Sequence, residues 1–173
     1  MTVDELIAAI KNKQPPAPRS ALHVSCLVLA GASVSAQSAD GPLSLAQGVY
    51  HLEGRCVSMV ANSKDDTSRC LGRASIVTKD PARPTFVFSR TDGLWVFIAA
   101  ADPVYSNEGK TVTFPISKLI DGATTPYRAL ELPGECVLNA ASHPTLSCTI
   151  ELQGGKNVHA IFDGSGTWSF SRT

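Results

Sequence analysis

Five cysteines stand in a chain of 173 residues, at positions 26, 56, 70, 136 and 148, and they offer more chemistry than any other residue type present. Cysteines in such numbers ligate a metal, form disulfides or supply a nucleophile. Structural zinc sites use short Cys-x2-4-Cys spacings, and the intervals here are wide, which points away from metal. Cys26 lies inside an apolar run and is set apart from the rest. Cys56, Cys70, Cys136 and Cys148 then form an even set, as two disulfides require. Ser63 lies midway between Cys56 and Cys70, and Ser142 midway between Cys136 and Cys148. Each midpoint falls in a polar, turn-forming stretch, so a hairpin would bring each pair face to face. Local pairing also closes the shortest loops, at the least cost in chain entropy. The expected bridges are Cys56–Cys70 and Cys136–Cys148, with the crossed pairings as alternatives.

Outside the cysteines the signals are weaker. His51, His143 and His159 have no histidine or carboxylate at a ligand spacing that would single out a metal site. His51 and His159 fall on the outward parity of their strands and His143 precedes Pro144, so all three read as surface histidines. Lys64-Asp65-Asp66 and Asp102…Asn107-Glu108 carry oxygens of the kind calcium uses, but a solvated loop has the same composition. There is no Gly-x-Ser-x-Gly, Walker-type loop, His-Glu-x-x-His or EF-hand loop. Gly164-Ser165-Gly166 reads as a turn between strands. No catalytic residue, metal ligand or cofactor is therefore expected. Residues 61–69, 102–110 and 139–145 read as loops, and loops on a rigid scaffold are where recognition residues concentrate. Asp65, Asp66, Tyr105, Asn107 and His143 are the binding candidates they supply, with Tyr105 as the exposed anchor.

The elements that must position these residues begin with Arg19–Asp40. Lys11, Lys13 and Arg19 precede an apolar segment, Ala21 to Ala36, that shifts from Leu and Val to small residues and ends in Val34-Ser35-Ala36. That is the layout of a secretory leader, with cleavage after Ala36. The segment is shorter and richer in Ser and Gly than a membrane span. Asp4 and Glu5 in the basic flank, and the helix-like spacing of Val3, Leu6, Ile7 and Ile10, favour the rival reading of a cytoplasmic domain with a buried N-terminal helix. Cleavage removes Cys26 and so makes the cysteine count even.

The chain has 15 basic and 15 acidic residues. Losing Lys11, Lys13, Arg19, Asp4 and Glu5 leaves 12 against 13. A near-neutral domain without a basic run has no electrostatic case for nucleic acid or an anionic membrane surface. The domain plan is a leader over 1–36, a mobile mature terminus over 37–47 and a single β domain over 48–173.

Within that domain apolar residues recur with period two. Tyr50, Leu52, Cys56 and Val60 share a parity, with Gly54 as a bulge signal. A return strand runs from Cys70 to about Thr78. Segments 85–90 and 94–101 flank Thr91-Asp92-Gly93, a hairpin signal, and both faces of this pair are apolar, so it should be covered on both sides. Val112, Phe114 and Ile116 alternate, and Pro115 suggests an edge strand. Residues 128–139 form another strand, and 145–172 a three-stranded meander. The expected fold is all-β, a small sandwich or barrel of about eight or nine antiparallel strands preceded by an N-terminal helical leader.

These readings imply an exported, disulfide-stapled, non-catalytic domain, periplasmic or secreted, that binds a protein or cell-envelope component and is not inserted in the membrane after cleavage. The alternatives are a small periplasmic hydrolase with a dispersed Ser/His/Asp site and an inert envelope structural protein.

Overall fold

The period-two pattern becomes strands almost wherever it occurs. The computed structural model describes residues 43–124, 126–140 and 143–172. The expected leader over 1–36, and residues 37–42 of the expected mobile terminus, lie outside the described residues. The strands are β1 (Gly48–Ala61), β2 (Lys64–Asp65), β3 (Cys70–Thr78), β4 (Thr85–Arg90), β5 (Gly93–Ala99) and β6 (Val104–Ser106). Then come β7 (Thr111–Asp121), β8 (Arg128–Leu130), β9 (Gly134–Asn139), β10 (Thr145–Glu151) and β11 (Asn157–Ser171). Among the described residues the helical pieces are two 3-10 turns, Thr67–Arg69 and Asn107–Gly109.

Eight of these strands close into an antiparallel barrel in the order β1-β3-β4-β5-β7-β9-β10-β11. Closure comes from β1 and β11, paired from Val49↔Ser171 to Ala61↔Val158. A closed barrel leaves its main strands without open edges. Short strands β2, β6 and β8 extend it, β2 on β1 and the other two on β7.

An eight-stranded barrel either fills its interior with side chains or holds one small ligand. This one is filled. Phe86, Phe88, Trp95, Phe97, Phe114 and Phe162 are fully buried, with Leu52, Met59, Ile76, Leu138 and Leu146 among them. The β4–β5 hairpin forms about Thr91-Asp92, with Arg90 opposite Gly93. Both its faces are buried, as its unbroken apolar run implies. Phe86, Phe88, Trp95 and Phe97 belong to the interior cluster, while Val87 and Val96, each 1% exposed, alternate with them and stand outside it.

Four local expectations fail, each for a physical reason. Gly164-Ser165-Gly166 is not a turn, because β11 runs unbroken through it for 15 residues. The glycine serves close approach instead: Gly164 sits opposite Gly54, and a Cβ on Gly54 would come within 2.1 Å of the Asp163 carbonyl oxygen. The expected bulge at Gly54 is present between Leu52 and Gly54. Pro115 is not on an edge strand, since β7 is flanked on both sides. It sits beside the irregularity between Ile98 and Ala99, where the β5 ladder breaks and a missing N–H is tolerated. The strand expected over 128–139 divides into β8 and β9 around Pro133. Finally, the terminus is held from Leu43 onward. Leu45 is buried in the interior cluster and Leu43 packs against it. The buried Thr78 hydroxyl accepts the Gly48 N–H at 2.9 Å and donates to the Ala46 carbonyl.

Candidate functional surface

Two ends of the barrel carry the residues singled out from sequence, and the two ends differ in kind. The upper end is where β1, β4, β7 and β10 finish, and the lower end is where they start. Asp65 and Asp66 belong to the upper end. Tyr105, Asn107 and His143 belong to the lower.

The upper end is closed by charge. Arg90 ends β4 on the parity of Phe86 and Phe88, which turns its side chain inward, where it is 3% exposed. Its guanidinium reaches Asp92 at two points, Nε to Oδ1 and Nη2 to Oδ2, both at 2.9 Å. Asp66 Oδ2 lies 3.6 Å away and Asp121 Oδ1 4.0 Å. The guanidinium also stacks over Trp95, 4.8 Å from the ring centroid. Arg69 pairs with both Asp66 and Asp92, and Lys64 pairs with Asp66 at 3.4 Å. Three cations thus face three carboxylates, and every buried member has a partner, as buried charge demands.

Burial would raise the Asp92 carboxyl, but hydrogen bonds from Arg90 and Arg69 outweigh it and hold the group below its ordinary range. Asp66 is buried within this network and is not an open ligand. Asp65 is exposed and accepts the Thr67 N–H at 2.8 Å. Thr67 lowers its carboxyl, first through the side chain and then through the backbone, with a smaller electrostatic contribution from His159. The oxygen-rich sequence at 64–66 is therefore spent on internal pairing, and no group of three or more metal-ligating side chains gathers among the described residues.

The lower end is tied by backbone hydrogen bonds. The Ala140 N–H donates to the Lys110 carbonyl at 2.9 Å, which joins the 102–110 and 139–145 connections. The Leu43 N–H donates to Gly109 O at 3.0 Å and brings in the start of the described chain. From this platform β6 presents Val104, 62% exposed, and Tyr105, 52% exposed. His143 is exposed on the neighbouring connection. Asn107 donates to Thr111 Oγ1 at 3.3 Å. Asn107 and Glu108 both have positive φ, 50° and 56°. The left-handed region suits Asn but strains Glu, and such strain gathers at functional segments. The other positive-φ pair, Asn62-Ser63, is the two-residue turn that joins β1 to β2.

Two cross-strand contacts were not legible from sequence. Ser58 Oγ lies 2.7 Å from His159 Nε2, and Ser75 Oγ lies 3.0 Å from His51 Nδ1. Both histidines are half-buried and held by a serine, where the sequence suggests free surface groups. The first pair depends on the β1–β11 closure, across 101 residues of chain, so no local pattern could announce it.

Both bridges form as the hairpin midpoints imply. Cys136 and Cys148 are direct cross-strand partners in the interior, Cα atoms 4.0 Å apart. Cys56 and Cys70 are joined with Cα atoms 6.1 Å apart. Compared with protein-family models, with curated proteins and with solved structures, the chain matches none.

Proposed function

We propose that the protein is an exported, disulfide-stapled, non-catalytic barrel that binds a protein or cell-envelope component through its lower end. The observation that carries this reading is the Ala140-to-Lys110 hydrogen bond, which extends the β7–β9 pairing past Thr111↔Asn139 and ties the 139–145 connection to the one that bears Val104 and Tyr105. The filled interior directs recognition to the outside. Exposed valine and tyrosine supply apolar contact at low entropic cost, with polar Asn107 following on the same connection and exposed His143 on the 139–145 connection. Two disulfides fit an oxidising, exported location, and the leader-like 1–36 segment would deliver the domain there. The test is capture from envelope extract by the domain and by a Val104→Ser/Tyr105→Ser variant. The reading expects one partner retained by the parent domain, at least tenfold depleted on the variant, and unaffected by Lys156→Ala at the upper end. Equal capture by all three would refute it.

One observation favours a second reading. Ser58 and His159 have the distance of a nucleophile and its general base, and His159 makes a small contribution to lowering the Asp65 carboxyl. Asp65 is nevertheless committed to Thr67, so the orienting role of a triad carboxylate is already occupied elsewhere. A fluorophosphonate probe decides between the readings. Covalent labelling that vanishes in Ser58→Ala would establish the hydrolase, and absence of labelling supports the binder.

A further inference from the structure

The last strand runs past the neighbour that covers it. β10 starts at Thr145, opposite Asp163, and the Gly164 N–H donates to the Pro144 carbonyl at 2.8 Å. Among the described residues, β11 beyond that point pairs only with β1. Trp168, Ser169, Phe170 and Ser171 lie opposite Leu52, His51, Tyr50 and Val49, and their other side faces no described strand. Ser169 is exposed, while Trp168, Phe170 and Ser171 are half-buried. Trp168 and Phe170 share a face with Tyr50, whose ring centroid lies 6.0 Å from that of Trp168 and 4.8 Å from that of Phe170. An open strand edge is a template for another strand, and proteins blunt such edges with charge, proline or brevity. The short strands of this barrel are blunted: β2 is Lys64-Asp65, β6 follows Pro103, and β8 begins with Arg128 just after Pro126. Trp168-Ser169-Phe170-Ser171 carries neither charge nor proline.

We propose that this edge pairs with the same edge of a second copy of the chain, antiparallel about a two-fold axis at Phe170. The sequence is self-complementary in that register. Ser169 meets Ser171 of the second copy, and Trp168 meets its Arg172, an exposed residue on the same parity as Phe170. A guanidinium against an indole is a favourable cation–π contact, and the two-fold axis makes it occur twice, as an isologous interface requires. No like charges face each other along the edge. The chain's formal net charge of 0 also sets up no long-range repulsion between copies. A foreign extended peptide would gain the same backbone hydrogen bonds, but only a second copy brings the matched arginine. The paired edge is short, and small interfaces are weak and transient, so the dimer is reversible. This goes beyond the binding reading and stands whether or not the lower end has a partner.

The experiment is sedimentation equilibrium of the protein over roughly a hundredfold range of concentration, which should show a reversible monomer–dimer equilibrium. Ser169→Lys puts an ammonium on the exposed face of the edge and should weaken the dimer about tenfold, with circular dichroism unchanged. Arg172→Ala should weaken it less. Gln153→Lys adds the same charge in the exposed β10–β11 connection and should leave the dimer as it was. Hydrogen exchange at the amides of residues 168–171 should slow as concentration rises. A monomer at every concentration would overturn the proposal, and so would a dimer indifferent to Ser169→Lys. A monomer that loses its envelope partner through Ser169→Lys would give the edge to a strand of that partner, and the proposal would fail.

Discussion

Arg90 and Asp92, two residues apart across the tip of the β4–β5 hairpin, bind each other at two points of 2.9 Å each, and this pair organises the charged upper end of the barrel. Removing the cation would take from buried Asp66 one of its three cationic partners and from Asp92 its two-point contact. Breaking one side of a buried ionic cluster costs about 3–5 kcal/mol. Arg90→Leu should lose stability of that order in urea denaturation. Arg90→Lys should recover only part of it, since an ammonium cannot reproduce the two-point contact.

The same network predicts an acid limb to the stability curve. The Asp92 carboxyl is held below its ordinary 3.8 in the folded protein. A carboxyl depressed on folding contributes stability that is complete above the unfolded value and is lost as pH falls through the folded one. Stability from Asp92 should therefore be present above about pH 4 and decline below that. Asp92→Asn should be less stable at neutral pH and show a shallower loss between pH 4 and 2, measured as urea midpoint against pH.

At the lower end, Glu108 occupies the left-handed region at φ 56° and ψ 28°. A non-glycine residue there costs about 1–2 kcal/mol. Glu108→Gly should raise thermal stability by about 1 kcal/mol, less the entropy glycine returns to the unfolded chain. A loss of stability would mean that the glutamate side chain contributes a contact that outweighs the strain.

Much of this architecture was legible because it is local. Thr91-Asp92 between two apolar runs announces its hairpin, and a polar midpoint between Cys136 and Cys148 places two inward residues face to face across one turn. What was hidden is long-range. Glycine punctuates a sequence identically whether it makes a turn or a close approach, so Gly164-Ser165-Gly166 reads as a break where β11 continues. Only the partner strand decides, and Gly54 lies 110 positions earlier by the numbering. Asp66 looks like a solvated ligand in sequence, because nothing local tells that Arg90 will be folded over it. At the lower end, the exposure of Tyr105 and Asn107 was legible, but the short strand β6 that carries Tyr105 and the hydrogen bond from Ala140 were not.

The glycine pair makes its own prediction. A Cβ at Gly54 would meet the backbone of Asp163 and Gly164, which cannot rotate away. Gly54→Ala should force β1 and β11 apart at the closing seam and cost about 1–3 kcal/mol, as overpacking does. Gly154→Ala is the control for added bulk, since a Cβ there meets nothing within 4 Å. Its own penalty should come only from its φ of 77°.

The central claim, a barrel stapled by two bridges and proposed to be exported, is tested most directly by mass spectrometry of the protein from its native host, intact and then digested without reduction. The account predicts a chain beginning at Gln37, with one cross-linked peptide pair holding Cys56 and Cys70 and another holding Cys136 and Cys148. A full-length chain of 173 residues with free thiols at these four positions would contradict it.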